Sequence, residues 1–459
     1  MCFFLHLSPK SQSAPAFNFT PKNSLLFALF IIFAPKAIRN YMKVYKFGGA
    51  SVRHADGVRN LLDIVRGENE LFIIVSAMGK TTNALEEVFD AMRKGDTAFC
   101  ESKIAEIKAY HYTIIADLFG SEEYRIEEVD ALFEALRKAV TTNKFERSRA
   151  EEWYDHIVAY GELVSTTIIS AFLSKEGVAN SWIDMRKCFV TQARHKDANV
   201  LIEESKTPLR RACAGAECRV FVGQGFIGSA PDGTTTTLGR EGSDYSAAVV
   251  ANILNADSMT VWKDVDGILN ADPKIFPDAV KIDHLNYVDT IELAYSGAQI
   301  IHPKTIKPLQ NKNIPLYVKP FGNKHAAGTV IDGNADTVAT PIIIVKRNQS
   351  FLRLRSRDLS FVLEEKFPII FATLERFRIK TNLIHNTAVE LGLCVESSWH
   401  LEEVATALQE EGFNTEIMSK VELLTIRHYN DELLNKYVEC DDFIISQLTP
   451  DTVRYVKPL

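Results

Sequence analysis

Three short segments of the chain combine glycines with charged or hydroxyl side chains in patterns suited to binding phosphate and carboxylate groups. In the first, Lys46 ends an apolar run and Gly48 and Gly49 follow closely. Paired glycines let backbone amides approach an anion. The lysine precedes the glycines, which is not the order of a Walker P-loop. Taken alone, the segment is compatible with a phosphate-binding turn or with a purely structural one.

The second segment is richer in polar groups. Four consecutive threonines, 234–237, are followed by Arg240, Ser243 and Asp244, after which a helical pattern begins. Hydroxyls and amides can hold phosphate oxygens, and an arginine can bind a carboxylate through two parallel hydrogen bonds. The alternative is a polar loop in which Ser243 or Asp244 caps the helix. We expect an anion site here.

The third segment ends another strand pattern with Lys263, Asp264 and an Asp-Gly pair at 266–267. Open α/β sheets bind ligands at the carboxyl ends of their strands, so these polar groups are candidates for ligand contacts. An Asp-Gly pair is equally compatible with an ordinary turn.

These segments require a sheet that brings strand ends together. From Met42 to about Thr337, short apolar runs alternate with helical patterns, which is typical of a parallel sheet with helices on both faces. The predicted strands are 44–47, 71–76, 181–184, 220–224, 259–263 and 316–319. The predicted helices are 83–94, 102–118 and a long, buried 153–173.

The pattern changes after a connector at 322–341 that is rich in Gly, Asn, Ala and Thr. Segments 342–355, 380–395 and 414–426 are strand-like, while 364–377 and 400–411 are helical, the order of a small α+β module. About 30 residues follow the start of an apparent second module, which is therefore predicted to be abbreviated. We expect a catalytic domain at 42–337 and a regulatory domain at 338–459.

Composition limits the class of protein. The chain has 459 residues, 46% of them hydrophobic and 24% charged, which favours a globular protein of two or three units. Its net charge of −7, with no basic block, argues against nucleic-acid binding. Seven scattered cysteines indicate reduced thiols, and no metal site is expected from their spacing. A cytoplasmic location follows as an expectation.

The first 41 residues are interpreted as an extension that is dispensable for folding. Their apolar run, 25–34, is about ten residues long, whereas spanning a bilayer takes about 20. No small-residue cleavage site follows it, so a secretory signal is a weaker alternative. Met42 begins the first strand pattern, and we expect no membrane association.

The ordered set of motifs resembles the amino-acid kinase superfamily and, within it, the aspartokinases. The resemblance covers about residues 42–459 and is highly specific as a set, although no single piece decides it. The segments that carry it are Lys46–Gly49, Val75–Gly79, Gly161–Glu162, Gly225–Gly228, Thr234–Tyr245, Trp262–Gly267, Ala271–Pro273 and His302–Pro303.

This resemblance implies an α/β fold with a mainly parallel sheet sandwiched by helices, followed by an α+β ACT-like regulatory domain. It also implies roles for individual residues. Lys46 would bridge the transferring phosphoryl group and Asp244 would orient Lys46. The aspartate-binding residues would be Ser76, Thr82, Glu162, Arg240 and Ser243. The ATP-binding residues would be Lys46, Gly48, Gly49, Lys263, Asp264, Leu269, Lys274 and Gln299, with Mg²⁺ carried on the nucleotide.

The implied reaction transfers the ATP γ-phosphate to the β-carboxylate of L-aspartate, giving 4-phospho-L-aspartate and ADP, the entry to lysine, threonine and methionine biosynthesis. The residue types suit this chemistry, because aspartate carries two carboxylates and one ammonium, and Arg240 and Glu162 supply the complementary charges. For Glu162, the alternative is a charge that interacts with the helix macrodipole. The attacking carboxylate is already ionised at neutral pH, so no general base is needed.

Several positions depart from the common family pattern. Ala50 stands where threonine is usual, Glu241 where glycine is usual, and Gln299 where a nucleotide-contacting lysine is often found. The last change removes a cation from the expected phosphate site. Lys263, where threonine is common, could compensate by supplying a charge from the neighbouring strand end.

The C-terminal region resembles ACT modules, which bind feedback amino acids and pair between subunits. The resemblance implies a homodimer and a lysine or threonine site formed by Ser356, Asp358, Asn382 and Thr387. The alternative for these four is a helix cap and a strand edge. Other kinases of the same fold, for glutamate, acetylglutamate, carbamate or a nucleoside monophosphate, are alternative functions. A catalytically weakened amino-acid-binding regulator is another.

Overall fold

The computed structural model describes residues 42–142, 145–298, 301–334, 340–358, 366–438 and 443–459. Residues 42–459 form one compact unit. Position 299 and residues 1–41 lie outside the described residues, so the expectations for Gln299 and for the N-terminal extension stay predictions.

An eight-stranded, mainly parallel sheet forms the first part of the described chain. Its strand order is β10-β12-β11-β7-β1-β2-β4-β3, and only β11 and β12 are antiparallel neighbours. The strands are β1 (Lys43–Phe47), β2 (Leu71–Val75), β3 (Ser181–Ile183), β4 (Val220–Gln224), β7 (Ser258–Lys263), β10 (His284–Asn286), β11 (Leu316–Pro320) and β12 (Thr329–Asp332). Two small hairpins join β5 (Ile227–Ser229) to β6 (Thr235–Thr237) and β8 (Ile268–Leu269) to β9 (Lys281–Ile282).

Helices cover both faces of this sheet. They are α1 (Ala55–Val65), α2 (Thr81–Lys94), α3 (Thr97–Phe119), α4 (Glu127–Thr142), α5 (Ala150–Val158), α6 (Tyr160–Lys175), α7 (Ile202–Ala214), α8 (Gly242–Leu254), α9 (Tyr287–Ser296) and α10 (Pro303–Gln310). Successive side chains of a strand point to opposite faces. Tyr45 and Phe47 therefore join one hydrophobic core, and Val44 joins the other.

The six strands predicted for this part are present, each with its ends within one residue of the prediction. They could be read from the sequence because a strand buried on both faces is apolar throughout, as in β2, where every residue is buried. The long predicted helix 153–173 is divided at Ala159 into α5 and α6. The backbone of Ala159 remains right-handed helical (φ −58°, ψ −25°), so the two helices follow one another without a sharp break.

A six-stranded antiparallel sheet forms the C-terminal part, in the order β14-β15-β13-β16-β18-β17. Its elements are β13 (Ile342–Ser356), α11 (Phe367–Arg376), β14 (Thr381–Asn386), β15 (Glu390–Glu396), α12 (Leu401–Glu410), β16 (Phe413–Arg427), α13 (Asp431–Val438), β17 (Ile445–Leu448) and β18 (Thr452–Pro458). The predicted single strand 380–395 is wrong. It is a hairpin, because the backbone N–H of Thr387 bonds the carbonyl of Glu390 and closes a turn.

Two modules share the long strands β13 and β16. Their register shifts between Lys346 and Gln349, where Asn348 has a φ of 58°. Beyond this irregularity, residues 342–346 and 421–427 pair with each other, and the latter also pair with β18. The second module therefore borrows a strand that precedes the first module. Among the described residues it has one helix, α13, whereas the first module has two.

Candidate active site

Lys46 and Asp244 form a largely buried ion pair at the carboxyl end of the parallel sheet. Their Nζ and Oδ1 atoms are 2.6 Å apart, and the side chains are 13% and 4% exposed. Lys46 is the fourth residue of β1, and Asp244 lies in the first turn of α8. A carboxylate this close to a lysine restrains the position of the ammonium group. The structure thus brings together the two residues expected to act in catalysis.

The Gly48–Gly49 turn packs tightly against the segment after β2. A Cβ atom at position 49 would lie 2.4 Å from the carbonyl oxygen of Ala77, far inside van der Waals contact. The backbone N–H of Gly79 also bonds the carbonyl of Gly49 at 2.9 Å. Only glycine fits at position 49, and this close approach brings the segment of Ser76 beside Lys46.

Glu162 is buried near this turn with one oxygen unused. Its Oε1 accepts a hydrogen bond from the backbone N–H of Ala77 at 3.1 Å, whereas its Oε2 has no hydrogen-bond partner among the described residues. Burial raises the pKa of Glu162 to about 8, against the opposing effects of the Ala77 N–H and the charge of Lys46. An unpaired, buried carboxyl oxygen is suited to receive an ammonium group.

Hydroxyl groups complete this side of the site. Ser76 Oγ donates to Ser243 Oγ at 3.0 Å, and Thr82 is half-buried in the first turn of α2. Position 225 must be glycine, because a Cβ there would lie 2.5 Å from Ser243. Two of the three hydroxyl residues expected to contact the substrate, Ser76 and Ser243, are therefore in direct contact with each other.

Arg240 lies in an exposed turn between β6 and α8. The backbone N–H of Gly242 bonds the carbonyl of Gly239 at 3.0 Å and closes this turn. Within the described ranges no carboxylate pairs with the Arg240 guanidinium. The next residue, Glu241, has a φ of 54° and accepts a hydrogen bond from the backbone N–H of His302 at 2.8 Å through Oε2.

The threonine run does not form the hydroxyl-lined anion site that the sequence predicted. Thr236 and Thr237 are fully buried, and their hydroxyls bond Thr191 at 2.7 Å and Asp155 Oδ1 at 2.5 Å. Thr234 donates to Asp232 within its own loop at 2.7 Å. These three hydroxyls form hydrogen bonds within the fold around β6, and both faces of the strand are covered at Thr236 and Thr237.

Asp155 is a buried residue of this region that the sequence interpretation missed. It is inaccessible to solvent and accepts hydrogen bonds from the side chains of His195 and Thr237 and from the backbone N–H of Lys196. Burial raises its pKa, although each of these hydrogen bonds opposes the shift. The signal in the sequence was an aspartate directly ahead of an apolar helical run. A carboxylate at such a position predicts buried hydrogen-bond partners, because buried carboxylates are rare unless they are paired.

The residues expected to bind ATP divide into two groups. Lys263 and Asp264 follow Trp262 at the end of β7, the strand beside β1, while Leu269 and Lys274 lie on the segment that follows. Asp264 is exposed and lines a cavity of about 420 Å³. Also lining this cavity are Ala50, Ser51, Arg53, His54, Asp56, Gly57, Phe321 and Gly322. The cavity adjoins the glycine turn at Ala50 and the end of β7 at Asp264.

The four residues expected to bind a feedback amino acid do not form one cluster within the chain. Ser356 donates to Asp358 at the end of β13, and its backbone N–H bonds Val389 in the turn next to Thr387. Asn382 lies at the opposite end of β14, where it contacts Lys346 at 2.7 Å and Gln349 at 2.6 Å. Three of the four therefore lie at one end of the sheet and Asn382 lies at the other.

Among the described residues we searched for a metal site, a reactive thiol and a membrane-spanning helix. No group of three or more His, Cys, Asp or Glu suited to a metal ion occurs among the described residues. The five described cysteines are free thiols, and burial raises the pKa of Cys213 to about 11. In the described part of the chain, one helical stretch, 147–175, is long and apolar enough to cross a membrane. Within the fold, 78% of the apolar 18-residue window in that stretch is buried, as in the core helix of a globular protein.

Residues 42–320 match the model of the amino acid kinase family. Lysine-sensitive aspartokinase 3 of Escherichia coli is 31% identical over 368 residues, covering 77% of this chain and 78% of its own. Aspartokinase 2, chloroplastic, of Arabidopsis thaliana is also 31% identical, covering 77% and 66%. The chain spans about a third of the length (32%) of a bifunctional aspartokinase/homoserine dehydrogenase of Zea mays, which is 32% identical over 295 residues, 63% of this chain.

Solved structures agree with this assignment. E. coli aspartokinase III in complex with aspartate and ADP is similar with a TM-score of 0.75 and 26% identity, over 91% of this chain and 96% of that one. The same enzyme with lysine and aspartate gives a TM-score of 0.73. The expected fold class, a mainly parallel α/β domain followed by an antiparallel-sheet region, is confirmed. The chain belongs to the amino acid kinase family and, within it, to the aspartokinases.

Proposed function

We propose that the chain is an ATP-dependent aspartate kinase that phosphorylates the β-carboxylate of L-aspartate, giving 4-phospho-L-aspartate and ADP. The observation that carries the proposal is the buried Lys46–Asp244 ion pair, which lies beside a buried carboxyl group with one unpaired oxygen, that of Glu162. An arginine turn precedes Asp244 on the same chain segment. The charged groups of Lys46, Glu162 and Arg240 together complement a phosphoryl acceptor that carries one ammonium and two carboxylates.

Catalysis in this proposal depends on charge and position. The β-carboxylate, with an ordinary pKa near 4, is ionised at neutral pH and attacks without a general base. Lys46 balances the charge that develops on the phosphoryl group, because a fixed cation in a water-poor site stabilises such charge strongly. Asp244, whose Oδ1 is 2.6 Å from the Nζ of Lys46, holds the ammonium group in place.

Aspartate recognition uses groups on both sides of Lys46. The unpaired Oε2 of Glu162 accepts the substrate ammonium, and Arg240 binds a carboxylate with two hydrogen bonds. Ser76 and Ser243, already hydrogen-bonded to each other, supply hydroxyls to the remaining carboxylate oxygens. Binding in this way lets Glu162 ionise, because the ammonium replaces the solvation that burial removed.

ATP is proposed to bind from the β7 side, with Gly48 and Gly49 at the phosphates and Lys263, Asp264, Leu269 and Lys274 along the nucleotide. The ADP in the structure of the E. coli relative supports use of ATP. Mg²⁺ is proposed to arrive on the nucleotide, where it would neutralise phosphate charge. The exposed carboxylate of Asp264 beside the cavity fits a contact to such an ion through water.

Domain roles, regulation and location are part of the same proposal. Residues 42–337 would form the catalytic domain and 338–459 the regulatory domain of a cytoplasmic homodimer in lysine, threonine and methionine biosynthesis. Lysine is the favoured effector, since the E. coli relative is named lysine-sensitive and its structure holds lysine. Because Asn382 lies apart from Ser356, Asp358 and Thr387 within one chain, we expect a complete effector site only between two copies.

A coupled ADP-release assay with hydroxylamine trapping tests the catalytic proposal. Aspartate, glutamate, acetylglutamate and carbamate are offered in turn, and only aspartate is expected to give an acyl hydroxamate. Hydroxamate with another acid would reassign the substrate, and no turnover with any acid would favour an amino-acid-binding regulator. Initial rates with millimolar lysine, threonine or both test feedback. A chain beginning at Met42 tests whether residues 1–41 are dispensable, with unchanged turnover and melting temperature expected.

A further inference from the structure

Glu241 occupies a backbone conformation that favours glycine. Its φ and ψ are 54° and 26°, in the left-handed region, where a residue with a side chain is strained. A glutamate at this position therefore costs conformational free energy, and its side chain makes a contact that glycine cannot make.

That contact joins the arginine turn to the first turn of α10. The Oε2 atom of Glu241 accepts a hydrogen bond from the backbone N–H of His302 at 2.8 Å, across 61 residues of sequence. His302 is the N-cap of α10, and its ring nitrogen Nδ1 accepts a bond from the N–H of Lys304 at 3.2 Å. A carboxylate at a helix N-terminus is favoured by the helix macrodipole, and a hydrogen bond to a charged acceptor is stronger than a neutral one.

A second contact holds the other side of the same turn. Lys304, on α10, forms an ion pair with Asp197. The Oδ1 atom of Asp197 is 2.5 Å from the position that a Cβ of Gly239 would occupy, so Asp197 packs directly on the backbone of the turn. Helix α10 therefore holds the turn at Gly239 and at Glu241, the two residues that flank Arg240.

We infer that Glu241 is a positioning residue that fixes Arg240 for aspartate binding by tying its turn to α10. The inference rests on the proposed aspartate kinase function. Arg240 is exposed and, in the described part of the chain, has no carboxylate partner of its own, so its backbone turn sets where the guanidinium lies. Loss of the Glu241 contact lets the turn sample other positions and weakens the ground-state contact with aspartate. The backbone N–H of Asp244 bonds the carbonyl of Glu241, a bond that every side-chain substitution at 241 retains, so the Lys46–Asp244 ion pair is expected to stay intact.

Steady-state kinetics of Glu241→Gly test this inference. The substitution supplies the residue best suited to the left-handed conformation, so it does not destabilise the fold through strain. We expect the aspartate KM to rise about tenfold, roughly 1.4 kcal/mol, with kcat and the ATP KM changed less than about twofold. Glu241→Gln keeps an acceptor oxygen and should give an intermediate aspartate KM. Calorimetric measurement of aspartate Kd should show the same order.

Three further variants isolate the hydrogen bond from the strain. His302→Pro removes the N–H donor at a backbone φ of −69°, which proline already adopts. Because this substitution also removes the ring that caps the N–H of Lys304, His302→Ala, which loses the ring alone, is its control. His302→Pro should raise the aspartate KM above that of His302→Ala, with no further rise when combined with Glu241→Gly. Arg378→Gly relieves a similar left-handed φ of 55° at an exposed position in the C-terminal sheet region and should leave every kinetic constant unchanged.

Two negative results have different meanings. If the unsubstituted chain forms aspartyl hydroxamate and Glu241→Gly keeps its aspartate KM and Kd, the positioning role is refuted while the kinase function stands. If the unsubstituted chain neither binds aspartate nor forms hydroxamate, the proposed function fails and this inference fails with it. An equal fall of kcat in Glu241→Gly and in Arg378→Gly would also overturn the inference.

Discussion

Replacing Glu162 with glutamine is expected to stabilise the protein increasingly as pH rises. The pKa of Glu162 is raised by burial from 4.5 to about 8, so between these values the folded protein holds a proton that the unfolded chain has released. The free energy of unfolding therefore falls as pH rises through this window. For this one group the loss is about 1 kcal/mol at pH 5 and about 4 kcal/mol at pH 8. Glutamine does not titrate and escapes the loss.

Urea denaturation at pH 5, 6.5 and 8 measures this effect. The new amide side chain of Glu162→Gln can still accept the bond from the Ala77 N–H, so the comparison changes the charge and keeps the shape. The stability of Glu162→Gln relative to the unsubstituted chain is expected to grow by about 3 kcal/mol between pH 5 and pH 8. Glu410→Gln, an exposed control at the end of α12, should show no such growth. A stability difference that is the same at all three pH values would refute the reasoning.

The same residue predicts proton release on binding. If the aspartate ammonium pairs with ionised Glu162, binding at pH 7 must expel the proton that a group of pKa about 8 carries. Calorimetry in buffers of different ionisation enthalpy should then show release of about 0.9 proton per aspartate bound. The Glu162→Gln variant should release none and bind aspartate more weakly. Equal proton release by both proteins would exclude Glu162 as the source.

Four other substitutions have measurable outcomes. Gly49→Ala introduces a Cβ atom 2.4 Å from a carbonyl oxygen and should lower the free energy of unfolding by about 1–3 kcal/mol in urea titrations. Lys46→Ala should lower kcat about 10²- to 10³-fold, whereas Arg240→Ala should chiefly raise the aspartate KM. Near-normal kinetics in both would contradict the site. Arg427→Ala removes a cation 2.7 Å from a buried carboxylate of α9. This substitution should lower the free energy of unfolding by about 3–5 kcal/mol in the same urea titrations. An unchanged midpoint would argue against a stabilising Arg427–Asp289 ion pair.

Much of the catalytic sheet could be predicted because its information is local. A strand buried on both faces must be apolar along its whole length, so runs such as 71–75 identify themselves. The glycines after Lys46 also mark a turn in the sequence, although the need for glycine at 49 comes from a tertiary contact, the carbonyl oxygen of Ala77. The paired roles of Lys46 and Asp244 followed from a resemblance carried by the ordered motifs, and their ion pair agrees with it.

Tertiary structure decided what each polar group has left to offer a ligand. The hydroxyls of Thr236 and Thr237 bond Thr191 and Asp155, because other parts of the chain cover both faces of β6 at these positions. The high pKa of Glu162 is set by the protein packed around it. Sequence determined which residue types lie near each strand end. Folding brings together groups that are distant in sequence, such as Glu241 and His302. Tertiary structure therefore determined which polar side chains remain available to a ligand, because hydrogen bonding and burial depend on neighbours in space.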